Sequence, residues 1–92
     1  MLVYAATQGA IVLCTIALSN LLTPHGIRVN CVASGPIWTP IQLIATDPDE
    51  TEQLGRAGQP AELAGAFVLL ASDAGSYMNG ALFPVTGGVS MP

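Results

Sequence analysis

The chain contains no lysine, and its only basic residues, Arg28 and Arg56, stand against six acidic ones in 92 residues. Such scarce positive charge excludes the electrostatic footprint that nucleic acid or an anionic membrane surface requires. Charged residues of both signs reach only 9%, whereas 51% are apolar, so the chain is too hydrophobic for disorder. It also lacks low-complexity tracts and a repeat of fixed period. Cysteine is limited to Cys14 and Cys31. These lack the paired spacing of a zinc site or a disulfide framework, and their apolar surroundings lead us to expect two buried, reduced packing residues. The N-terminal apolar run has no basic flank, and Thr7, Gln8, Thr15, Ser19 and Asn20 interrupt it, which suits neither a signal peptide nor a spanning helix. We therefore expect a cytoplasmic protein with no membrane partner.

Ninety-two residues allow one domain at most, and a chain of this size buries only roughly 60 to 70% of its unfolded surface. Residues 5–22 place Ile11, Cys14, Leu18 and Leu21 or Leu22 at helical intervals, with Val12, Leu13 and Ile16 adding apolar surface on other faces. Such a helix needs cover on more than one side. Pro24 ends it, and His25-Gly26 turns into an expected buried strand over residues 27–33. The loop Ser34 to Pro40 cannot continue a central strand, because one glycine and two prolines interrupt it. It leaves the carboxyl end of the strand, which is where ligands bind in open α/β sheets.

Asp47-Pro48-Asp49-Glu50 predicts a short helix to about Leu54, followed by a linker over Gly55 to Gln59. With Glu52, this acidic cluster reads as a solvated first turn; no other ligand converges on it, so no metal site is expected. Pro60-Ala61-Glu62 opens a stronger helix to Ser72 or Asp73, its apolar face formed by Leu63, Phe67 and Leu70 with Ala64, Ala66 and Ala71. After the Asn79-Gly80 turn, Ala81 to Thr86 reads as a last strand, and Pro84 places it at a sheet edge. Strand, crossover helix and strand form one βαβ unit, expected to be right-handed, with the first helix packed beside it.

Four motifs now coincide in order. Tyr4-Ala5-Ala6-Thr7-Gln8 resembles the Tyr-x-x-x-Lys helix of short-chain dehydrogenase/reductases, with Gln8 at the lysine. Asn30 to Thr39 resembles that family's Asn-x-Val-x-Pro-Gly-x-x-x-Thr, with Ser34 at the proline. Arg56 to Glu62 is similar to its Arg-x-Gly-x-Pro-x-Glu, and Ser76 to Gly80 to its Ser-Tyr-x-Thr-Gly, with Asn79 at the threonine. Thr86 stands where an acidic or amide residue precedes Gly-Gly, and the stretch between Thr39 and Arg56 is shorter than usual.

The resemblance covers essentially the whole chain as a single partial domain, residues 1–92. It implies an α/β fold, the C-terminal part of a Rossmann-type doubly wound parallel sheet in the order helix, strand, short helix, helix, edge strand. The N-terminal cofactor-binding half, with its glycine-rich phosphate turn, catalytic serine and active-site asparagine, belongs upstream of the tyrosine and is expected to be absent.

The resemblance further implies an oxidoreductase that uses NAD or NADP on an alcohol/carbonyl pair. Tyr4 and Gln8 take the catalytic positions; Gly35, Pro36, Ile37 and Thr39 take the cofactor-binding ones, with the Ile37 backbone at the nicotinamide carboxamide and the Thr39 hydroxyl near the diphosphate. Residues four apart share one helix face, so a lysine at position 8 would hold its charge beside the phenol. A free tyrosine has a pKa of about 10, and a unit charge roughly 4 Å away is worth on the order of 1 to 4 kcal/mol in favour of the phenolate. Gln8 brings hydrogen bonds without that charge.

Blander readings stand beside these. Tyr4 can be an aromatic staple at a helix start, Gly35 to Thr39 strand-ending punctuation, Trp38 either loop packing or a pocket wall, and His25 a helix-end residue without catalytic partners. Two functions follow. One is the truncated oxidoreductase, inactive alone. The other is a non-catalytic remnant that binds a copy of itself or a related full-length subunit; the resemblance implies assembly through residues 5–22, 60–72 and 81–86, and removal of a neighbour of strand 27–33 would expose ladder groups and apolar faces.

Overall fold

The computed structural model describes residues 2–35, 37–39 and 56–88 of the chain. In chain order these form helix α1 (Leu2–Leu22), a 3-10 turn (Thr23–His25), strand β1 (Cys31–Ser34), helix α2 (Pro60–Ala71), a second 3-10 turn (Asp73–Gly75) and strand β2 (Leu82–Val85). The strands pair in parallel, Cys31 opposite Leu82 and Ser34 opposite Val85, so the connection carrying α2 crosses over between them. The α/β class expected from the sequence is therefore present. The expected helix ending at Leu54, with its acidic cluster, and Pro36 lie outside the described residues.

α1 begins at Leu2, ahead of the expected start, because nothing from Leu2 to Leu22 breaks a helix except Gly9. Its inward face differs from the expected apolar stripe. Thr15 and Ser19 are its buried residues, flanked at helical spacing by half-buried Gln8, Val12 and Leu22. Ile11, Cys14, Leu18 and Leu21 are exposed. The hydroxyls bury at little cost because the helix satisfies them itself: Thr15 Oγ1 donates to Ile11 O and Ser19 Oγ to Ile16 O, both at 2.8 Å. Their small size also permits close approach. A Cβ placed on Gly80 would lie 2.7 Å from Ser19 Oγ, so only glycine fits where the lead into β2 crosses α1.

β1 starts at Cys31 and ends at Ser34, which corrects the expected span of 27–33. Before Cys31 one backbone bond, from Gly80 N to Val29 O at 2.7 Å, is joined by side chains. Asn79 Oδ1 accepts from Val29 N at 3.0 Å, and Asn79 Nδ2 reaches Thr23 Oγ1 at 2.8 Å. Asn30 donates to Met78 O and accepts from Ala81 N. The Arg28 guanidinium donates to Leu70 O at 2.7 Å and to Met78 O at 3.1 Å, closing the end of α2. Two asparagines and an arginine thus fasten the segment entering β1 to the segment entering β2.

Cys31 N donates to Ala81 O and Gly35 N to Val85 O, each at 2.9 Å. Backbone groups alternate sides along a strand, so the odd-numbered residues of β1 face β2. The same alternation turns the Pro84 nitrogen to the outer edge of β2, where a missing N–H costs no ladder bond.

α2 matches its expected limits. Leu63, Ala66 and Leu70 are half-buried, but Phe67, at 56%, and with it Ala64 and Ala71 are exposed, which narrows the expected packing face. Both cysteines also depart from expectation: Cys14 is an exposed thiol on the outer side of α1, and Cys31 is half-buried. Among the described residues Ala33 is the one buried apolar side chain.

The start of α2 carries an unforeseen clasp. Arg56 Nη1 and Nη2 reach Glu62 Oε1 and Oε2 at 2.7 and 3.0 Å, and Gln59 N donates to Glu62 Oε1 at 3.0 Å. The guanidinium bonds first, and the Gln59 amide second, hold the Glu62 carboxyl at about 2, well below its ordinary 4.5. A lowered folded value means that the clasp is fully present above the ordinary value and is lost as pH falls toward the lowered one. The pair is exposed, so its contribution to stability is small. In an NMR titration the Glu62 carboxyl should ionise far below an ordinary glutamate and return toward the ordinary value in Arg56→Gln; an ordinary midpoint in the unaltered chain would refute the clasp.

Candidate active site

Helix and strand lengths decide which residues share an end of the fold. α1 has 21 residues and rises about 30 Å, and the extended run from Ile27 to Gly35 covers about the same distance in the return direction. With α1 in contact with β1 and a short turn between them, the start of α1 and the loop after β1 lie at the same end. Tyr4 and Gln8 are therefore brought to the end where Gly35, Ile37 and Thr39 leave the sheet.

Tyr4 lies in the first turn of α1 and is 60% exposed. Its carbonyl accepts from Thr7 Oγ1 at 2.7 Å, and among the described residues its hydroxyl makes no hydrogen bond. Gln8, one turn later, is half-buried. Both arginines are committed elsewhere, Arg28 to the carbonyls of Leu70 and Met78 and Arg56 to Glu62. The chain has no lysine, so among the described residues no uncommitted lysine or arginine is at hand for the phenol.

The loop after β1 is held by two close contacts. A Cβ on Gly35 would lie 2.6 Å from Thr86 O and 2.7 Å from Thr86 Cα, so the chain leaving β1 presses on the chain leaving β2. Ile37 then forms a parallel bridge with Gly58, in which Trp38 N donates to Gly58 O at 2.7 Å. In such a bridge the flanking residues bond the partner, and the central residue turns its own N–H and C=O the other way. Ile37 thus presents a donor and an acceptor side by side, away from Gly58. This pair is complementary to a primary carboxamide, and the half-buried Thr39 lies two residues on. The residues present therefore fit the carboxamide end of a nicotinamide cofactor. Trp38 is 53% exposed, so the loop-packing reading does not hold for it.

Sequence reasoning missed the Gly58 bridge, having treated Gly55 to Gln59 as a linker. The Arg-x-Gly spacing was its available signal, because Arg56 and Glu62 fix Gly58 between them.

The whole chain has been compared with known proteins. Residues 1–90 match the family model described as enoyl-(acyl carrier protein) reductase. The chain belongs to the short-chain dehydrogenase/reductase family. It is 51% identical over 92 residues to a glucose and ribitol dehydrogenase homolog of Oryza sativa subsp. japonica, a match that takes in 94% of this chain and 31% of the relative. A short-chain type dehydrogenase/reductase from Mycobacterium marinum superposes with a TM-score of 0.85 at 40% identity, over 95% of this chain and 36% of that one. A 3-ketoacyl-(acyl-carrier-protein) reductase from Brucella melitensis, solved with NADH, superposes equally well at 32% identity, over 94% of this chain and 36% of that one.

The chain thus spans about a third of the length of the relatives it matches, and its fold is that of the corresponding part of their Rossmann-type sheet. On length and composition alone Leu2–His25 is also long and apolar enough to cross a membrane. The same segment is matched within these dehydrogenase folds.

The close approach of Gly35 to Thr86 yields a direct test. Gly35→Ala should force the segments leaving the two strands apart and speed amide exchange at Cys31 and Ala33, the β1 amides that face β2, by about tenfold, within the about 1 to 3 kcal/mol that overpacking costs. Unchanged exchange would show that the contact does not hold the loop.

Proposed function

We propose that this chain carries the proton-exchanging helix and the nicotinamide-facing loop of an NAD(P)-dependent oxidoreductase acting on an alcohol/carbonyl pair, and that it is inactive alone. The observation that carries this reading is the convergence of the start of α1 and the Ile37 amide pair at one end of a fold shared with dehydrogenases. The solved relative that holds NADH supports the cofactor class.

When bound, the nicotinamide ring would accept or supply the hydride. The Ile37 N–H and C=O would hold its carboxamide, with Gly35 leading into the loop and the Thr39 hydroxyl toward the diphosphate. Tyr4 would exchange the proton of the substrate hydroxyl. Gln8 could hydrogen-bond a ribose hydroxyl, but it leaves the phenol without the charge that favours its ionised form. A positioned acid or base contributes about 10² to 10⁴ in rate, and loss of that charge forfeits a good part of it. We place this chemistry in the cytoplasm, consistent with two free thiols.

A second reading is favoured by a separate observation. Ala33 is the one buried apolar side chain among the described residues, whereas Ile11, Leu13 and Leu18 of α1 and Phe67 and Val68 of α2 are exposed. In this reading the chain is a non-catalytic module whose uncovered faces bind another polypeptide.

The purified chain, mixed with NAD(H) or NADP(H) and a panel of sugar, polyol and ketone substrates, should show no dinucleotide turnover, and Tyr4→Phe should change nothing. Turnover that collapses on Tyr4→Phe would overturn the claim of inactivity.

A further inference from the structure

Asn79 and Gly80 lie where the segment entering β2 meets both the end of α1 and the segment entering β1. Gly80 has a φ of 71° and no room for a Cβ, which would lie 2.7 Å from Ser19 Oγ, so the position requires glycine. The Asn79 side chain is held at both ends: Oδ1 accepts from Val29 N at 3.0 Å, and Nδ2 donates to Thr23 Oγ1 at 2.8 Å. Thr23 Oγ1 spends its proton on Ser19 O, so it needs a donor from residue 79. Gly80 N donates to Val29 O at 2.7 Å. The fastening thus places an amide side chain directly before a glycine. The family motif has threonine there, which carries no side-chain carbonyl.

An asparagine followed by glycine has a reaction of its own. The backbone nitrogen of the glycine attacks the asparagine side-chain carbonyl carbon, and the new N–Cγ bond closes a succinimide ring. The Cγ–Nδ2 bond breaks, and ammonia leaves with the backbone proton. Water then opens the ring at either carbonyl, giving aspartate or isoaspartate. A side chain on the attacking residue hinders this step, and glycine has none. The other two asparagines, Asn20 and Asn30, precede Leu21 and Cys31.

The closed structure blocks the attack at Asn79 from three directions. The Gly80 nitrogen is bonded to Val29 O, and Cγ cannot swing toward it while Oδ1 and Nδ2 keep their partners. Those side-chain partners are 50 and 56 residues away in sequence, so the restraints are lost together when the two strand entries part.

We propose that Asn79-Gly80 is a deamidation site gated by the fold, shielded while the entries to β1 and β2 are fastened and reactive whenever they part, and that the isoaspartyl product can no longer refasten them. Neither function proposed above is required, because the reaction consumes only water. The two products differ in effect. Aspartate keeps an oxygen for Val29 N and loses the donor to Thr23 Oγ1. Isoaspartate routes the main chain through Cγ and adds one backbone atom between residues 79 and 80, where Gly80 presses on Ser19 and Ala81 N donates to Asn30 Oδ1. The added atom draws Ala81 O away from Cys31 N, the first bond between the two strands.

The test is peptide mapping of the purified chain after incubation at physiological temperature in buffer or in concentrated urea, with aspartyl and isoaspartyl peptides separated by chromatography and identified by mass. In urea Asn79 should convert while Asn20 and Asn30 remain amides. In buffer the conversion should be slower by about tenfold or more, since three net hydrogen bonds suppress opening by about two- to tenfold each. Thr23→Val frees Nδ2 and should speed conversion in buffer by about two- to tenfold, with no change in urea. Amide exchange at Cys31 and Ala81 should be faster in the isoaspartyl product than in Asn79→Asp, which carries the charge without the added atom. The proposal fails if Asn79 remains an amide in urea, if conversion is equally fast in buffer and urea, or if a folded Thr23→Val converts no faster in buffer. It fails equally if the isoaspartyl chain exchanges Cys31 and Ala81 as slowly as the unaltered one. Should Thr23→Val lose its helical circular dichroism, the buffer-to-urea ratio of the unaltered chain decides.

Discussion

A parallel ladder uses every second residue of a strand, and the four residues of β1 spend theirs on β2. The rest of the structure depends on that one-sided pairing. It sets the exit of the chain at Gly35, where the press against Thr86 aims the loop, and it carries Ile37 to Gly58 so that one amide pair is turned outward. It also leaves Val32 and Ser34 with backbone groups that water or another strand must satisfy. Site and open edge are thus two consequences of the same four-residue strand.

The energetics follow from what that strand can gather around it. α1 and α2 each touch β1, but the described part of the chain encloses Ala33 and little else that is apolar. Fixing a backbone costs about 1 to 2 kcal/mol per residue, and burial of apolar surface is the main term able to offset it. Polar fastenings take over part of that role. Arg28, Asn30 and Asn79 tie the entries of the two strands together, and Arg56 with Glu62 ties the start of α2. Net hydrogen bonds are worth about 0.5 to 1.5 kcal/mol each, so such fastenings select a geometry more than they stabilise it.

The sequence showed the helices and the edge strand plainly, since Pro60, the apolar runs and Pro84 are local signals that tertiary context did not override. The motifs also disclosed the family and the loop at the carboxyl end of β1. Three features were hidden for physical reasons. The inward stripe of α1 is built on Thr15 and Ser19, because small hydroxyls satisfied within the helix permit an approach that leucine would block; hydrophobic periodicity therefore pointed to the wrong face, and Cys14 with it. Residues 27–30 have a strand's composition but are paired through the Asn79 side chain, 50 residues away, and through Asn30's own side chain to Met78 and Ala81, contacts invisible to any local window. Gly58 lies in a segment with the composition of a linker, and its bridge to Ile37 emerges only once Arg56 and Glu62 are seen to clasp.

The account comes down to how firmly these 92 residues hold their fold by themselves. Differential scanning calorimetry of the dilute, purified chain, checked as monomeric by sedimentation, tests this most directly. We predict for the monomer a broad transition with well under the heat of a fully packed domain of this length. A sharp two-state transition, with the heat expected of a folded domain of this length, would contradict the account.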